Sequence, residues 1–214
     1  MNNLVVAKFA GSVENTLSRE LKLDARGAYT VAVTKEFAIA TNWRPKKHAT
    51  LVYLLRESSV LLIHKLSGHG SGRVNAPGGR LEENESIYQC AVREVREEVG
   101  IQVVSLSPAA ALRFYDIGNG FSMAGYVFTS RAFEGDAVSS NEAKPFWCGL
   151  DEIPYQEMWE DDALWLPQVL AGDCIHGDFI FENDCLRSHD VGRVDQTEIR
   201  QYLEGRLIGA KGER

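Results

Sequence analysis

The sequence lacks the signatures of several protein classes. None of the apolar runs in its 214 residues approaches the length of a membrane-spanning helix. The first residues, MNNLVVAKFAG, have neither the basic segment nor the long apolar stretch of a signal peptide. The four cysteines show no CxxC spacing, which argues against a zinc site or a disulfide framework. These absences predict a cytoplasmic protein with reduced thiols and no membrane partner.

Basic runs are missing as well. The formal charge is −7, and lysine and arginine form no cluster of the kind that neutralises the phosphates of a nucleic-acid polymer. We therefore expect no polymeric nucleic acid as a partner. A small polyphosphate that arrives with metal ions remains compatible with an acidic protein.

Acidic residues are concentrated in one segment, GRLEENESIYQCAVREVREEVGI, from Gly79 to Ile101. If the segment is helical, Glu94, Glu97 and Glu98 lie on one side of it, because residues three and four apart are neighbours on a helix. Three like charges so close destabilise a bare helix, so the pattern favours a bound cation. Oxygen ligands suit a hard metal such as magnesium or manganese, and such metals act on phosphates.

Apolar residues in the same segment support a helix with a separate buried face. A stripe at three- and four-residue spacing is formed by Tyr88, Val92, Val95 and Val99. Asn84 can cap the start of this helix and Gly100 can end it. Before it, Gly78 and Gly79 predict a tight turn whose backbone can approach an anion. We expect Arg93 to hold one of the glutamates in place.

This segment resembles the signature of the Nudix hydrolase family, G-x5-E-x7-R-E-U-x-E-E-x-G-U with U aliphatic. The match holds at all defined positions, which are Gly79, Glu85, Arg93, Glu94, Val95, Glu97, Glu98, Gly100 and Ile101. The resemblance implies hydrolysis by water at a bridging phosphoanhydride, with release of a nucleoside monophosphate and pyrophosphate. It further implies that Mg²⁺, or Mn²⁺, is held by Glu94, Glu97 and Glu98, with the Gly78 carbonyl and Glu142. Glu98 or Glu97 is the expected general base, with Glu142 as an outside candidate.

The remaining pattern predicts three parts. We interpret residues 48–191 as the catalytic domain. In this domain, predicted strands alternate with the signature helix and with a second helix at Ala163–Leu170. This mixture is typical of an α+β fold, an α/β/α sandwich with a mixed β-sheet between helices. Residues 1–47 form an extension with weak strand signals and a possible helix at 12–23. Residues 192–214 form a helical extension, and we expect both ends to serve in packing or in a homodimer.

A segment rich in tryptophan and acid follows the glutamates in the chain. Trp159 offers an aromatic face for a base, and Asp161 with Asp162 could read the polar edge of that base. Two crowded carboxyls do not ionise together easily, so one can donate a hydrogen bond while the other accepts. This pair would suit an oxidised purine, which has a carbonyl beside a new N–H. A helix cap at Asp161 or Asp162 and a core position for Trp159 fit the spacing equally well.

Beyond the signature, the chain is similar to the mammalian MutT homologues, the branch of the family that hydrolyses oxidised purine nucleoside triphosphates. The similarity runs from about Thr50 to Phe181 and includes the segments GRVNAPGGR, NEAKPFW, EMWEDD and HGDFIF. It implies a base pocket in which Asn75 bonds the base, Trp159 and Met123 sandwich it, and Asp161 with Asp162 read its edge. The other residues implied at this pocket and its rim are Thr50, Lys65, Gly79, Phe114 and Phe181.

The chain departs from that branch at several pocket positions. His69 stands where those enzymes have phenylalanine, and Ala124 replaces an aspartate beside Met123. Val74 replaces an aromatic residue, and Ala76-Pro77 replaces glycine-phenylalanine. These differences put the substrate, though not the reaction, in question.

Three functions remain open on the sequence. The first is an oxidised-purine triphosphate diphosphatase, acting on 8-oxo-dGTP or 2-oxo-dATP, that cleans the nucleotide pool. The second is a Nudix hydrolase of a methylated purine triphosphate, a nucleotide sugar, a dinucleotide or a capped RNA end. The third is a sensor that binds a nucleotide without turnover. The complete set of glutamates argues against the sensor, and the MWEDD run with Asn75 favours the first function.

Overall fold

The computed structural model describes residues 5–8, 13–23, 29–39 and 43–210. Thirteen strands are present in this part of the chain: β1 Val5–Lys8, β2 Val13–Leu23, β3 Tyr29–Ile39, β4 Lys47–Arg56, β5 Ser59–Lys65, β6 Val74–Asn75, β7 Gln102–Val103, β8 Ser107–Asp116, β9 Ser122–Ser130, β10 Phe133–Glu134, β11 Ala143–Gly149, β12 Cys174–Glu182 and β13 Cys185–Val194. Three α-helices accompany them: α1 Ile87–Val99, α2 Asp162–Leu170 and α3 Gln196–Ala210. A short 3₁₀ turn spans Tyr155–Glu157. None of these helices is long and apolar enough to cross a membrane.

The central sheet is mixed. Its strand order is β11-β5-β4-β9-β8-β12-β13, with β6 attached to β5. β4 runs parallel to β9 and β12 runs parallel to β8, whereas the other neighbours are antiparallel. Both parallel pairs join strands that are distant in the chain, so they bring remote segments to one site.

Helices cover both faces of this sheet. Val52 and Leu54 of β4 belong to one buried cluster with α1 and α3, and Tyr53 and Leu55 belong to the other with α2. Side chains alternate between the two faces because a strand has a period of two residues. The predicted α/β/α sandwich with a mixed sheet is confirmed, and so is the second helix, which begins one residue earlier than expected at Asp162.

The central sheet opens between β4 and β5, and the glycine turn fills the gap. β4 pairs with β5 only at its end, through Leu55 and Arg56. Earlier in β4, the amide of Thr50 donates to the Gly79 carbonyl at 2.8 Å and the amide of Val52 donates to the Pro77 carbonyl at 2.9 Å. The turn is thereby fixed as if it were a short strand, with its backbone facing α1.

Helix α1 begins at a different cap from the one expected. Its N-cap is Ser86, which forms a reciprocal capping box with Gln89. Asn84 was the wrong choice, because its φ of 63° puts it in the turn that precedes the helix. Gly100 ends the helix as predicted, with a left-handed φ of 74° that glycine adopts without strain.

The expected helix at residues 12–23 is wrong, since Val13–Leu23 is a strand. Val13, Leu17 and Leu21 are four residues apart, and that spacing fits the period of a strand as well as the period of a helix. β2 pairs with β1 and β3 in a separate antiparallel sheet. In this sheet β3 lies against β12 and β13.

The C-terminal segment packs on the central sheet. Helix α3 carries Ile199 and Leu203, both fully buried in the cluster that also contains α1. β13 extends to Val194 and pairs along its length with β12. The boundaries at residues 48 and 191 stay predictions, as does a homodimer through the chain ends.

Candidate active site

One large pocket joins the glutamate helix to the tryptophan-rich segment. Its volume is about 380 Å³, which lies in the range of small-molecule sites. All the substrate-binding residues expected from the sequence line it, namely Thr50, Lys65, Asn75, Gly79, Phe114, Met123, Trp159, Asp161, Asp162 and Phe181. Of the expected metal ligands, Gly78, Glu94 and Glu142 also line it, while Glu97 and Glu98 lie outside the lining.

Glu98 is the buried member of the glutamate cluster. Its side chain is 2% exposed, and its two oxygens accept hydrogen bonds from Lys65 Nζ at 2.8 Å and from the Gly78 amide at 2.9 Å. A buried carboxylate needs such partners because burial without them is costly. Lys65 is therefore a partner of the glutamate cluster within the pocket lining.

Arg93 organises the other glutamates. Its Nε and Nη2 donate to the two Glu85 oxygens at 2.8 and 2.9 Å, and its Nη1 donates to Glu94 at 2.8 Å and to Glu97 at 3.0 Å. The expectation that Arg93 holds one glutamate is confirmed and enlarged, because it holds three. A fork of five N–H donors allows one guanidinium to do this, which lysine could not.

The glycine turn lies close to Glu94 and to β4. A side chain on Gly78 would collide with the Thr50 backbone, so only glycine fits there. A side chain on Gly79 would push the Glu94 carboxylate out of its position. Burial raises the pKa of Glu94, and the charges of Glu98 and Glu97 act in the same direction.

The chemistry of this cluster fits a hard divalent cation. Three carboxylates crowd one end of the pocket, and added positive charge would relieve the repulsion that acts on Glu94. Within the described part of the chain, no three acidic, histidine or cysteine side chains converge on one point as metal ligands. Arg93 and Lys65 instead occupy the carboxylate oxygens. A metal would therefore share or replace these two cations as a partner of the glutamates.

Glu142 lines the pocket from the segment that leads into β11. Its side chain is exposed, and its backbone carbonyl accepts from the Leu66 amide at 2.8 Å. Its carboxylate can thus move within the pocket without breaking a buried contact.

Asp161 and Asp162 are buried acids in the lining of the same pocket. Each is 3% exposed, and among the described residues no basic side chain forms an ion pair with either. Asp161 accepts from Trp165 Nε1 at 3.0 Å, and Asp162 accepts from the Trp159 amide at 3.0 Å. Asp161 stands at the helix N-cap, but its carboxylate makes no capping bond, so the alternative of a simple cap does not account for it.

Crowding of these two acids changes their protonation. Burial raises the pKa of Asp161, while burial and the charge of Asp161 raise the pKa of Asp162 well above its usual range. The pair therefore holds a proton to higher pH than ordinary carboxyls do. With one proton retained, the pair offers a hydrogen-bond donor beside an acceptor.

Trp159 forms one wall beside the acids and is held by several neighbours. The guanidinium of Arg73 lies 4.2 Å from the centre of its ring, and the His69 imidazole stacks on it with 5.4 Å between centroids. Phe181 meets its edge at 6.2 Å. Trp159 is thus a pocket wall, as expected, and not a fully buried core residue.

Sequence reasoning missed several pocket residues. Arg73 supports Trp159 and also donates to the Met158 carbonyl at 3.1 Å. Phe121, Arg80 and Asp184 line the mouth. Arg73 lies inside the GRVNAPGGR segment, but no local pattern could pair it with a tryptophan so far away in the chain.

Arg73→Ala should weaken binding of a nucleobase without affecting the phosphate chemistry. Loss of the cation behind Trp159 removes an interaction of roughly 0.5–2 kcal/mol that fixes the indole plane, so KM should rise by about three- to tenfold at nearly constant kcat. Steady-state kinetics on a purine nucleoside triphosphate measure this. Arg56→Ala is a matched control, because Arg56 lies at the same 4.2 Å from Trp147, outside the pocket. An equal effect of both variants would contradict a role for Arg73 in the site.

Comparison with known proteins agrees with this geometry. The NUDIX domain model matches residues 45–169. The "Oxidized purine nucleoside triphosphate hydrolase" of Danio rerio is 35% identical over 150 residues, which cover 70% of this chain and 96% of that protein. The protein of the same name in Mus musculus is 35% identical over 147 residues, covering 68% of this chain and 94% of its own length.

A solved structure shares the fold. The MutT protein from Bacillus halodurans superimposes with a TM-score of 0.60 at 25% identity, covering 68% of this chain and 97% of that one. Since the domain match includes more than half of the chain and the glutamate helix with its arginine and glycine turn, the chain belongs to the Nudix hydrolase family.

Proposed function

We propose that the protein hydrolyses oxidised purine nucleoside triphosphates to the monophosphate and pyrophosphate, with Mg²⁺ as its metal. The observation that carries the proposal is that one pocket joins two kinds of group. Glu94 of the glutamate cluster lines this pocket together with Trp159 and the buried acids Asp161 and Asp162. A molecule with both a base and a polyphosphate can engage both groups.

The acid pair favours an oxidised purine. Such a base presents a carbonyl acceptor next to an N–H donor, and the pair of Asp161 and Asp162 presents the complement when it retains one proton. A site built to pair both groups disfavours a base that leaves one of them unpaired, because a buried polar group without a partner is costly. The names of the animal relatives agree with this choice.

The phosphate end would be organised by the chain in the following way. Glu94, Glu97 and Glu98, with the Gly78 carbonyl, would hold the metal, and Glu142 would approach from the opposite side. A bound Mg²⁺ would supply positive charge against the charge that develops on the phosphates and would lower the pKa of a water molecule held there. Arg93 keeps the glutamates in position through its contacts with Glu85, Glu94 and Glu97.

Proton removal from the attacking water falls to a glutamate of this cluster. Glu98 is buried and already bonded to two donors, which fixes its orientation. Glu97 has a side chain that is 54% exposed and a single ion pair, so its carboxylate is freer to reach a water. Both remain candidates for the base, and Glu142 is the third.

A second candidate function is a Nudix hydrolase of a methylated purine triphosphate. The observation in its favour is the set of departures around the base, among them His69 in the stack with Trp159. A methyl group adds apolar surface to the purine and replaces one of its hydrogens, so it changes how the base fits the pair of Asp161 and Asp162.

A substrate panel tests the proposal. We expect release of pyrophosphate with kcat/KM at least about tenfold higher for 8-oxo-dGTP or 2-oxo-dATP than for dGTP and dATP, since an unpaired buried group costs roughly 1–3 kcal/mol. Methylated purine triphosphates and a nucleotide sugar complete the panel. Equal rates on dGTP and 8-oxo-dGTP would exclude oxidised-purine specificity. Binding without any turnover in Mg²⁺ or Mn²⁺ would favour a sensor instead.

A further inference from the structure

His69 takes part in a four-membered stack at the pocket mouth. Its imidazole lies 5.1 Å from the Phe121 ring, at an interplanar angle of 27°, and 5.4 Å from the Trp159 ring, at 25°. The guanidinium carbon of Arg73 lies 4.2 Å from the centre of the Trp159 ring. The order is Phe121, His69, Trp159, Arg73. His69 thus bridges two walls that come from different parts of the chain.

Two of these groups lie against Trp159 itself. The Arg73 guanidinium lies 4.2 Å from the centre of the indole ring, and the His69 imidazole stacks on the indole with 5.4 Å between centroids. Since His69 also stacks on Phe121, its ring covers the part of Trp159 that lies next to the Phe121 wall.

A base cannot stack on Trp159 while His69 stays in place. A ring inserted between two others needs about 7 Å between them, twice a van der Waals contact of roughly 3.5 Å. The His69 and Trp159 centroids are 5.4 Å apart. Stacking of a base on this face of Trp159 requires His69 to leave.

The structure allows His69 to leave by rotation of its side chain. The loop backbone is fixed, because the Gly72 amide donates to the Lys65 carbonyl at 2.8 Å and the Arg73 amide donates to the Gly70 carbonyl at 3.0 Å. The side chain, by contrast, is exposed, so solvent can receive it. Burial and the charges of Arg80, Lys47 and Lys65 lower the pKa of His69, so the ring that moves is neutral at pH 7.

We propose that His69 is an intramolecular competitor of the nucleobase: its imidazole stacks on Trp159 where the base would stack, and the base must displace it to bind. This inference rests on the proposed function, because it assumes a base at Trp159. It predicts an effect on every ligand that carries a base and none on a ligand without one.

Binding of mononucleotides without metal tests this directly. We expect His69→Ala to lower Kd for 8-oxo-dGMP and dGMP by about three- to tenfold. In the wild type, the stack of His69 on Trp159 stabilises a closed pocket by about the energy of one aromatic pair, and a closed pocket of that stability weakens the apparent affinity by this factor. His69→Phe keeps a ring that stacks equally well and should stay within about twofold of the wild type. Kd for tripolyphosphate should be the same in all variants. Isothermal titration calorimetry in EDTA measures these constants.

A matched control and a second readout complete the test. His64→Ala removes an exposed histidine that stacks on Phe146 at 4.7 Å, outside the pocket, and should not change Kd. In the NMR spectrum, the His69 Cε1–H signal should move towards its unstacked position when 8-oxo-dGMP saturates the protein.

Two results would overturn the role of His69. Weaker binding in His69→Ala would mean that the imidazole forms part of the base sandwich, and unchanged Kd would mean that the base follows another path. Either result leaves the proposed function intact if the wild type still prefers oxidised purines. A different outcome is that the wild type does not prefer oxidised purines while His69→Ala binds both nucleotides more tightly. That outcome would overturn the proposed function and support the role of His69 as a competitor of the base. If neither the wild type nor His69→Ala binds either nucleotide, the competitor role fails, and the substrate panel in Mg²⁺ alone decides the proposed function.

Discussion

Glu98→Gln should lower kcat by about a hundredfold or more, with a smaller change in KM. The glutamine has no negative charge to offer a metal and cannot accept a proton from water, and losses of this order follow removal of either role. Its amide oxygen can still accept from the Gly78 amide or from Lys65, the two donors that Glu98 bonds in the structure. The fold should therefore survive, which circular dichroism and the unfolding temperature will show. Initial rates of pyrophosphate release measure the loss.

Glu97→Gln should cause a loss of similar size, and Glu83→Gln serves as the control. Glu83 is an exposed acid in the turn before the same helix and lies outside the cluster, so its variant should keep full activity. A large loss of kcat in Glu98→Gln and Glu97→Gln with native unfolding curves would support the glutamate assignment. Full activity in both variants would exclude these glutamates from the reaction.

Trp159→Ala should raise KM for an oxidised purine triphosphate by about 10- to 100-fold. Stacking of a base on an aromatic side chain is worth roughly 1–3 kcal/mol, and this variant removes the aromatic wall beside Asp161 and Asp162. Hydrolysis of tripolyphosphate, which carries no base, should change little. Steady-state kinetics on the two substrates separate loss of the base site from general damage.

Trp147→Ala is the matched control for this variant. Trp147 is also partly buried, also carries an arginine at 4.2 Å, and also stacks on a second ring, that of Phe133. Its loss should affect stability to a similar degree, but it lies away from the pocket. If Trp147→Ala raises KM as much as Trp159→Ala does, the base does not stack on Trp159.

The phosphate end of the pocket could be predicted from the sequence because it is encoded locally. Glu94, Glu97 and Glu98 are placed by one helix, and Gly79 and Arg93 lie within 15 residues of one of them. Helical spacing alone fixes such a set. The same local rules failed where two choices were equally good. Asn84 and Ser86 are both good capping residues, and four-residue spacing did not distinguish a strand at 13–23 from a helix.

The support of Trp159 could not be predicted in this way. Its contacts with Arg73 and His69 depend on how a glycine loop folds over a distant segment, and no periodicity encodes that. The sequence identified Trp159, Asp161 and Asp162 as a candidate base reader. It did not show that Arg73 and His69 both lie against the tryptophan.

The two parallel strand pairs also affect how the site assembles during folding. β4 pairs with β9, which aligns Lys47 with Met123, and β8 pairs with β12, which aligns Phe114 with Phe179. Contacts between residues so far apart in the chain form slowly, because a long loop must close before they contribute. Helix α1, with its own caps, can form early by contrast. In a newly made chain, the glutamates of α1 should therefore reach their helical arrangement before the base pocket forms. In refolding experiments, the circular dichroism signal of the helices should recover before ligand binding does.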